Sequence, residues 1–121
     1  FADFWRADSG MLAALNAIAA LGSSDKPLSK LLKPYSRYVA SGEINSKVKD
    51  GVAIMSSLKA RYQDQSGVSI DELDGLTVDG DTWWFNVRAS NTEPLLRLNV
   101  EAQNKALMES LRDEVLGLIR K

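Results

Sequence analysis

Cysteine and histidine are both absent from the 121 residues. Without cysteine there is no disulfide and no thiol chemistry. Without histidine the usual acid/base group near neutral pH, the Ser-His and Cys-His nucleophile pairs and the common zinc sites are excluded. Chemistry here would fall to carboxylates, lysine or a hydroxyl. Strong charge of either sign is missing too: the formal net charge is -1, so no global footprint for a nucleic acid or an anionic membrane exists, and any anion must be held by local geometry. No apolar run approaches the roughly 18 residues of a membrane span, and the N-terminus lacks the order of a signal peptide. A soluble, cytoplasmic protein with no membrane or nucleic-acid partner is expected. What is present is 45% apolar content, enough for a core in one domain, or in one domain plus part of another.

The opening FADFWRADSG carries no initiator Met and crowds three aromatics into five residues, as expected of a cut piece of a longer chain. In DSGMLAALNAIAAL, residues 8 to 21, Asp8 or Ser9 suits an N-cap, and Met11, Leu12, Leu15, Ile18 and Ala19 share a helical face that Gly22 would end. Pro27 suits the start of a short helix over 27 to 32, and Pro34 forbids its continuation. Pro34 to Ser36 is therefore the expected domain boundary, giving units 1–34 and 35–121. The stretch 35 to 48 predicts a strand interrupted near Gly42. A helix follows over about 50 to 63 on Val52, Ile54, Met55, Leu58 and Tyr62. Short β segments near 68–72 and 75–78 and a strand at 82–87 are punctuated by Asp-Gly turns at 74–75 and 79–80. Trp83, Phe85 and Val87 share one strand face and Trp84, Asn86 and Arg88 the other. Leu96, Leu98 and Val100 then alternate with Leu95, Arg97, Asn99 and Glu101, so the two strands form a hairpin with one packed face. Asn104 can cap a last helix with Leu107 or Met108, Leu111, Val115 and Leu118 as its stripe. Strand, helix, strands, helix implies an α+β fold: a small antiparallel sheet of about four strands with two helices on one face.

RASNTEPLLR, residues 88 to 97, brackets a small polar turn with two arginines. Phosphate needs several short hydrogen bonds and compensating charge. Ser90, Asn91 and Thr92 tolerate tight turns, their N–H groups can form a nest, and their side chains add donors. Arg88 and Arg97 supply guanidinium forks that match phosphate oxygens, each charge-assisted bond contributing roughly 1.5–3 kcal/mol. Pro94 would stiffen the exit. Glu93 opposes this reading unless it points away or pairs with an arginine. The same residues also read as an ordinary turn with solvated strand-end arginines.

RASNTEPLLRLNVEA, residues 88 to 102, resembles the signature of the C-terminal domain of the α-D-phosphohexomutases, the phosphomannomutase/phosphoglucomutase family. Supporting stretches are ADSGM (7–11), SGEIN (41–45), IDELDGLTV and WWFNVR. The resemblance implies a TATA-binding-protein-like sheet at 35–121, preceded by a helical remnant of the family's third domain at 1–34. It also implies phosphate contacts at Arg88, Ser90, Asn91 and Thr92, with Arg97 beside them. Asn91 favours the mannose and glucose mutases, hence phosphomannomutase, over glucosamine-phosphate mutases. In such enzymes a phosphoserine passes its phosphoryl group to a hexose phosphate, with Mg²⁺ held by an acidic loop. DGDTWW, 79 to 84, begins like that loop but lacks the rest, and Asp-Gly between apolar segments reads better as a hairpin turn. No phosphoserine loop is present either. The implied partners are a phosphosugar and the other domains of a parent enzyme, the implied cofactor Mg²⁺ in that parent and none in this chain, and the implied hinge Pro34 to Arg37. The chain alone would bind a phosphosugar weakly and convert nothing.

Two other readings stay open. A protein-interaction module would rest on Trp83 or Trp84, one of which must face away from the core. A nucleic-acid platform would use Trp84 with Arg88 and Arg97, against the net charge.

Overall fold

The computed structural model describes residues 1–121, which form two compact units, Phe1–Arg37 and Tyr38–Lys121. In the first unit, Ser9 accepts a hydrogen bond from the Leu12 N–H and so caps α1, Gly10–Gly22. Pro27 caps α2, Leu28–Leu32, and Pro34 is absorbed into a 3₁₀ turn at Lys33–Tyr35. Nothing in either helix is buried.

The second unit runs β1 (Val39–Ala40), β2 (Ile44–Lys47), α3 (Gly51–Tyr62), β3 (Ser69–Asp71), β4 (Leu76–Asp79), β5 (Trp83–Ala89), β6 (Leu95–Ala102) and α4 (Lys105–Ile119). All pairings are antiparallel, in the order β1-β6-β5-β4-β3, with β2 also on β6. The sheet thus has six segments where about four strands were expected, because the interrupted strand is two short ones. Tyr35 to Tyr38 lie outside it: the 3₁₀ turn takes Tyr35, and pairing starts at Val39.

The interruption has a definite geometry. Ala40 faces Glu101 and Ile44 faces Leu98, so four steps on one strand oppose three on the other. This is a β-bulge. Ser41 is pinned inside it, its N–H donating to the Val100 carbonyl (2.8 Å) and its Oγ accepting from the Val100 N–H (3.0 Å). Gly42 turns the chain with φ at +68°, a conformation that costs other residues about 1–2 kcal/mol.

One face of the sheet is dry. Leu76, Val78, Phe85, Val87, Leu96, Leu98, Val100 and Ala102 are buried there against Leu58 and Tyr62 of α3 and Met108, Leu111, Val115 and Ile119 of α4. The Tyr62 ring meets Phe85 edge-on at 5.1 Å. Each such large apolar side chain contributes roughly 1.5–3 kcal/mol through burial. Caps fix both helices: Asp50 accepts from Ala53 N–H, and Asn104 from Leu107 N–H. Two stripe positions differ from expectation. Val52 is exposed, because Leu58 and Tyr62 set the inner line of α3. In α4 Ile119 is buried while Leu118 packs only at the margin, since i, i+4, i+8 spacing from Leu111 passes through 115 and 119. No helix is long and apolar enough to cross a membrane.

Candidate functional site

The opposite face of the sheet is polar. Alternation along β5 and β6 places Trp84, Asn86 and Arg88 beside Glu101, Asn99 and Arg97. Trp84 donates its indole N–H to Glu101 (3.3 Å), and Asn86 donates to Thr77 Oγ1 (3.0 Å) and the Asp74 carbonyl (2.8 Å). Trp83 lies on the other side, packed against the core.

Arg88 and Arg97 are direct register partners. Like charges so placed repel, and the structure supplies counter-charge. Glu43 Oε2 lies 3.9 Å from Arg88 and 3.8 Å from Arg97, and Asp74 Oδ2 lies 3.5 Å from Arg88. Two positive and two negative charges sum to zero in this cluster. Glu93, expected to pair with an arginine or point away, is in none of these pairs: it sits exposed in the turn, and Glu43 and Asp74 take the arginines instead. The Arg97 Nε is buried with no hydrogen-bond partner.

The five residues from Ser90 to Pro94 join β5 to β6 at the same end. The Ser90 N–H donates to the Leu95 carbonyl (3.0 Å) and the Leu95 N–H to that of Glu93 (2.8 Å), which fixes the loop on the strands. Its far end is held by Val48 N–H on the Pro94 carbonyl (3.2 Å). Ser90 and Thr92 hydroxyls are 3.4 Å apart, and the Thr92 N–H reaches Ser90 Oγ at 3.4 Å. Two N–H groups of the anticipated nest are thus turned inward, whereas Asn91 and Thr92 remain exposed to solvent. Lys49 lines a cleft of about 200 Å³ with Ser90, Glu93 and Pro94, adding a cation on the loop's other flank.

Gly75 explains how Arg88 is held. With φ at +75°, any Cβ there would meet the Val87 carbonyl oxygen and come within 2.8 Å of Arg88 Cα. The Asp74-Gly75 turn is pressed against the base of the arginine, which brings Asp74 to its guanidinium. The second Asp-Gly step is the β4–β5 turn, closed by Gly80 N–H on the Trp83 carbonyl (2.8 Å).

The five predicted site residues therefore fall at one end of the sheet, two as a facing pair and three in the adjoining loop. Glu43, Asp74 and Lys49 were missed. A signal existed for Glu43: a Gly inside a strand marks a bulge that re-aims its neighbour.

The sequence pattern of the phosphoglucomutase/phosphomannomutase C-terminal domain matches residues 43–118. This chain belongs to that family. A phosphomannomutase of Methanocaldococcus jannaschii is 42% identical over 94% of this chain and 25% of its own length. One from Vibrio cholerae is 43% identical over the whole chain and 27% of its own length. The crystal structure of a phosphoglucomutase/phosphomannomutase family protein from Burkholderia thailandensis matches with a TM-score of 0.68 at 23% identity, over 93% of this chain and 24% of that one. At that identity it supports the fold alone. The chain spans about a quarter of the length of the curated relatives it matches. No group of three or more acidic side chains that could hold a metal ion comes together.

Proposed function

We propose that Tyr38–Lys121 binds the phosphate of a hexose phosphate, in a parent phosphohexomutase that acts on mannose or glucose phosphates and works in the cytoplasm. The observation that carries this is the facing pair Arg88 and Arg97 beside the Ser90–Thr92 loop. Two guanidinium groups on facing positions of adjacent strands can each offer a fork of N–H donors, and the loop adds two hydroxyls and an amide within the same few residues. Such a site positions and neutralises a phosphate without reacting with it. Phosphoryl transfer is mostly positioning plus charge stabilisation, so a domain that grips the phosphate not being transferred contributes to the reaction while holding no reacting group.

The chain alone is proposed to be inactive in interconverting sugar phosphates and to bind them with about millimolar affinity, as befits one wall of a divided site. Titration with mannose 1-phosphate, followed by backbone amide shifts, tests this. Saturable shifts confined to residues 88 to 97, and lost in Arg88→Ala, are expected. No amide movement there up to about 10 mM ligand, well above such an affinity, would sink the reading.

A further inference from the structure

We propose that Glu43 determines the specificity of this anion site: it is a built-in carboxylate that an entering anion must displace from the arginine pair. The proposal rests on the phosphate reading above and adds the rule by which anions are chosen.

The bulge aims Glu43. Val39 packs toward the core and Ala40 away from it; by unbroken alternation residue 43 would point inward with Val39. The extra residue between Ala40 and Ile44 reverses the parity, Ile44 packs inward again, and Glu43 lands on the open face over Arg97 and Arg88. Ser41 on Val100 and the left-handed Gly42 hold that geometry.

The contacts are placed for exchange. Glu43 lies 3.8–3.9 Å from both arginines, beyond hydrogen-bond reach, so it screens their repulsion while leaving their N–H groups unspent. Asp74 meets Arg88 alone. The covered Arg97 Nε–H, with no partner, is one donor a ligand oxygen could take. A free monoanion offers no more charge than the tethered Glu43 carboxylate, which enjoys a high effective concentration. A phosphate monoester offers nearly two charges and three oxygens, enough to take both forks. The site should thus ignore monoanions and admit phosphate.

The test uses the 121-residue chain and its Glu43→Gln variant, reading arginine Nε–Hε signals by NMR with acetate and then inorganic phosphate as probes. In ligand-free protein the substitution should move the Arg88 and Arg97 signals. Acetate should shift them in the variant and leave the wild type unchanged, and phosphate should bind the variant about three- to tenfold more tightly, the scale of two partly exposed ion pairs. Unmoved ligand-free signals, or weaker phosphate binding in the variant, would overturn the proposal. Acetate acting on the wild type would overturn it while leaving the phosphate reading intact. Phosphate silent on both proteins, with acetate acting on the variant alone, would remove the phosphate reading and leave Glu43 as the displaceable anion.

Discussion

Helix α4 buries Met108, Leu111, Val115 and Ile119, whereas α1, richer in apolar residues, buries none. Both carry apolar residues at helical spacing and a side-chain N-cap. The difference lies in what each chain segment is given to cover. Only Gln103 and Asn104 separate β6 from α4, which lies along a sheet whose inner face is already in register, so Met108, Leu111, Val115 and Ile119 each meet a partner. Within Phe1–Arg37 there is no strand at all. Met11, Leu15 and Ile18 are left exposed. Apolar periodicity states that a face is to be covered; only a partner surface turns it into stability.

Matched leucines give the sharpest way to break this contrast. Leu111→Ala should cost about 2–5 kcal/mol through lost burial and the cavity left behind. Leu15→Ala should stay within about 0.5 kcal/mol of wild type. Urea unfolding of both variants measures each cost. A loss above about 1 kcal/mol for Leu15→Ala would mean that α1 has a partner surface after all, since exposed sites lose less.

The glycines of the two turns beside the arginines should separate next. Gly75→Ala must adopt a positive φ and also overlap the β5 backbone at Val87 and Arg88, so about 2–3 kcal/mol is expected, together with a displaced Arg88 and, on the proposed function, weaker phosphate binding. Gly42→Ala has the same φ problem but open space around it. About 1 kcal/mol is expected there. Equal losses would show that conformation alone, and not the close approach to Arg88, governs both positions.

The caps give a smaller contrast of the same kind as the leucines. Asn104→Ala removes the acceptor for the Leu107 N–H and should cost about 1 kcal/mol of global stability. Ser9→Ala should lower helicity in Phe1–Arg37 with little change in the main urea transition. A global loss from Ser9→Ala equal to that from Asn104→Ala would tie α1 to the cooperative core.

Elements resting on local chemistry were legible in the sequence: the caps at Asp8 or Ser9 and at Asn104, the Asp-Gly turns, and the alternation that separates Phe85 and Val87 from Asn86 and Arg88. So was the 88–97 loop, whose residues are contiguous. The arginines' counter-charges were not, because Glu43 and Asp74 are 45 and 14 residues before Arg88 in the chain and only pairing brings them near. Glu93, the carboxylate adjacent in sequence, could either pair with an arginine or point away, and it is in none of the arginine pairs. A bulge counts residues on two strands at once, so periodicity in one strand cannot place it. The Gly in SGEIN was the only local mark of the parity change.

The smallest effect concerns the one aromatic hydroxyl sealed under the dry face. Burial, assisted by the nearby Glu114 carboxylate, pushes the Tyr62 phenol up to about 12 from 10.0. Its OH is buried without a hydrogen-bond partner. The folded state therefore holds this proton more tightly than the unfolded chain does. The corresponding stability is fully present below pH 10.0 and is lost as pH rises from there toward about 12. Tyr62→Phe keeps the ring on Phe85 and removes an unpaired polar atom, so at pH 7 it should change stability by less than about 0.5 kcal/mol, in either direction. Across the alkaline range the variant should lose stability less steeply than wild type. Identical alkaline slopes in urea titrations of the two proteins would mean that the hydroxyl finds water or a partner, and that the face covered by α3 is less dry than its packing implies.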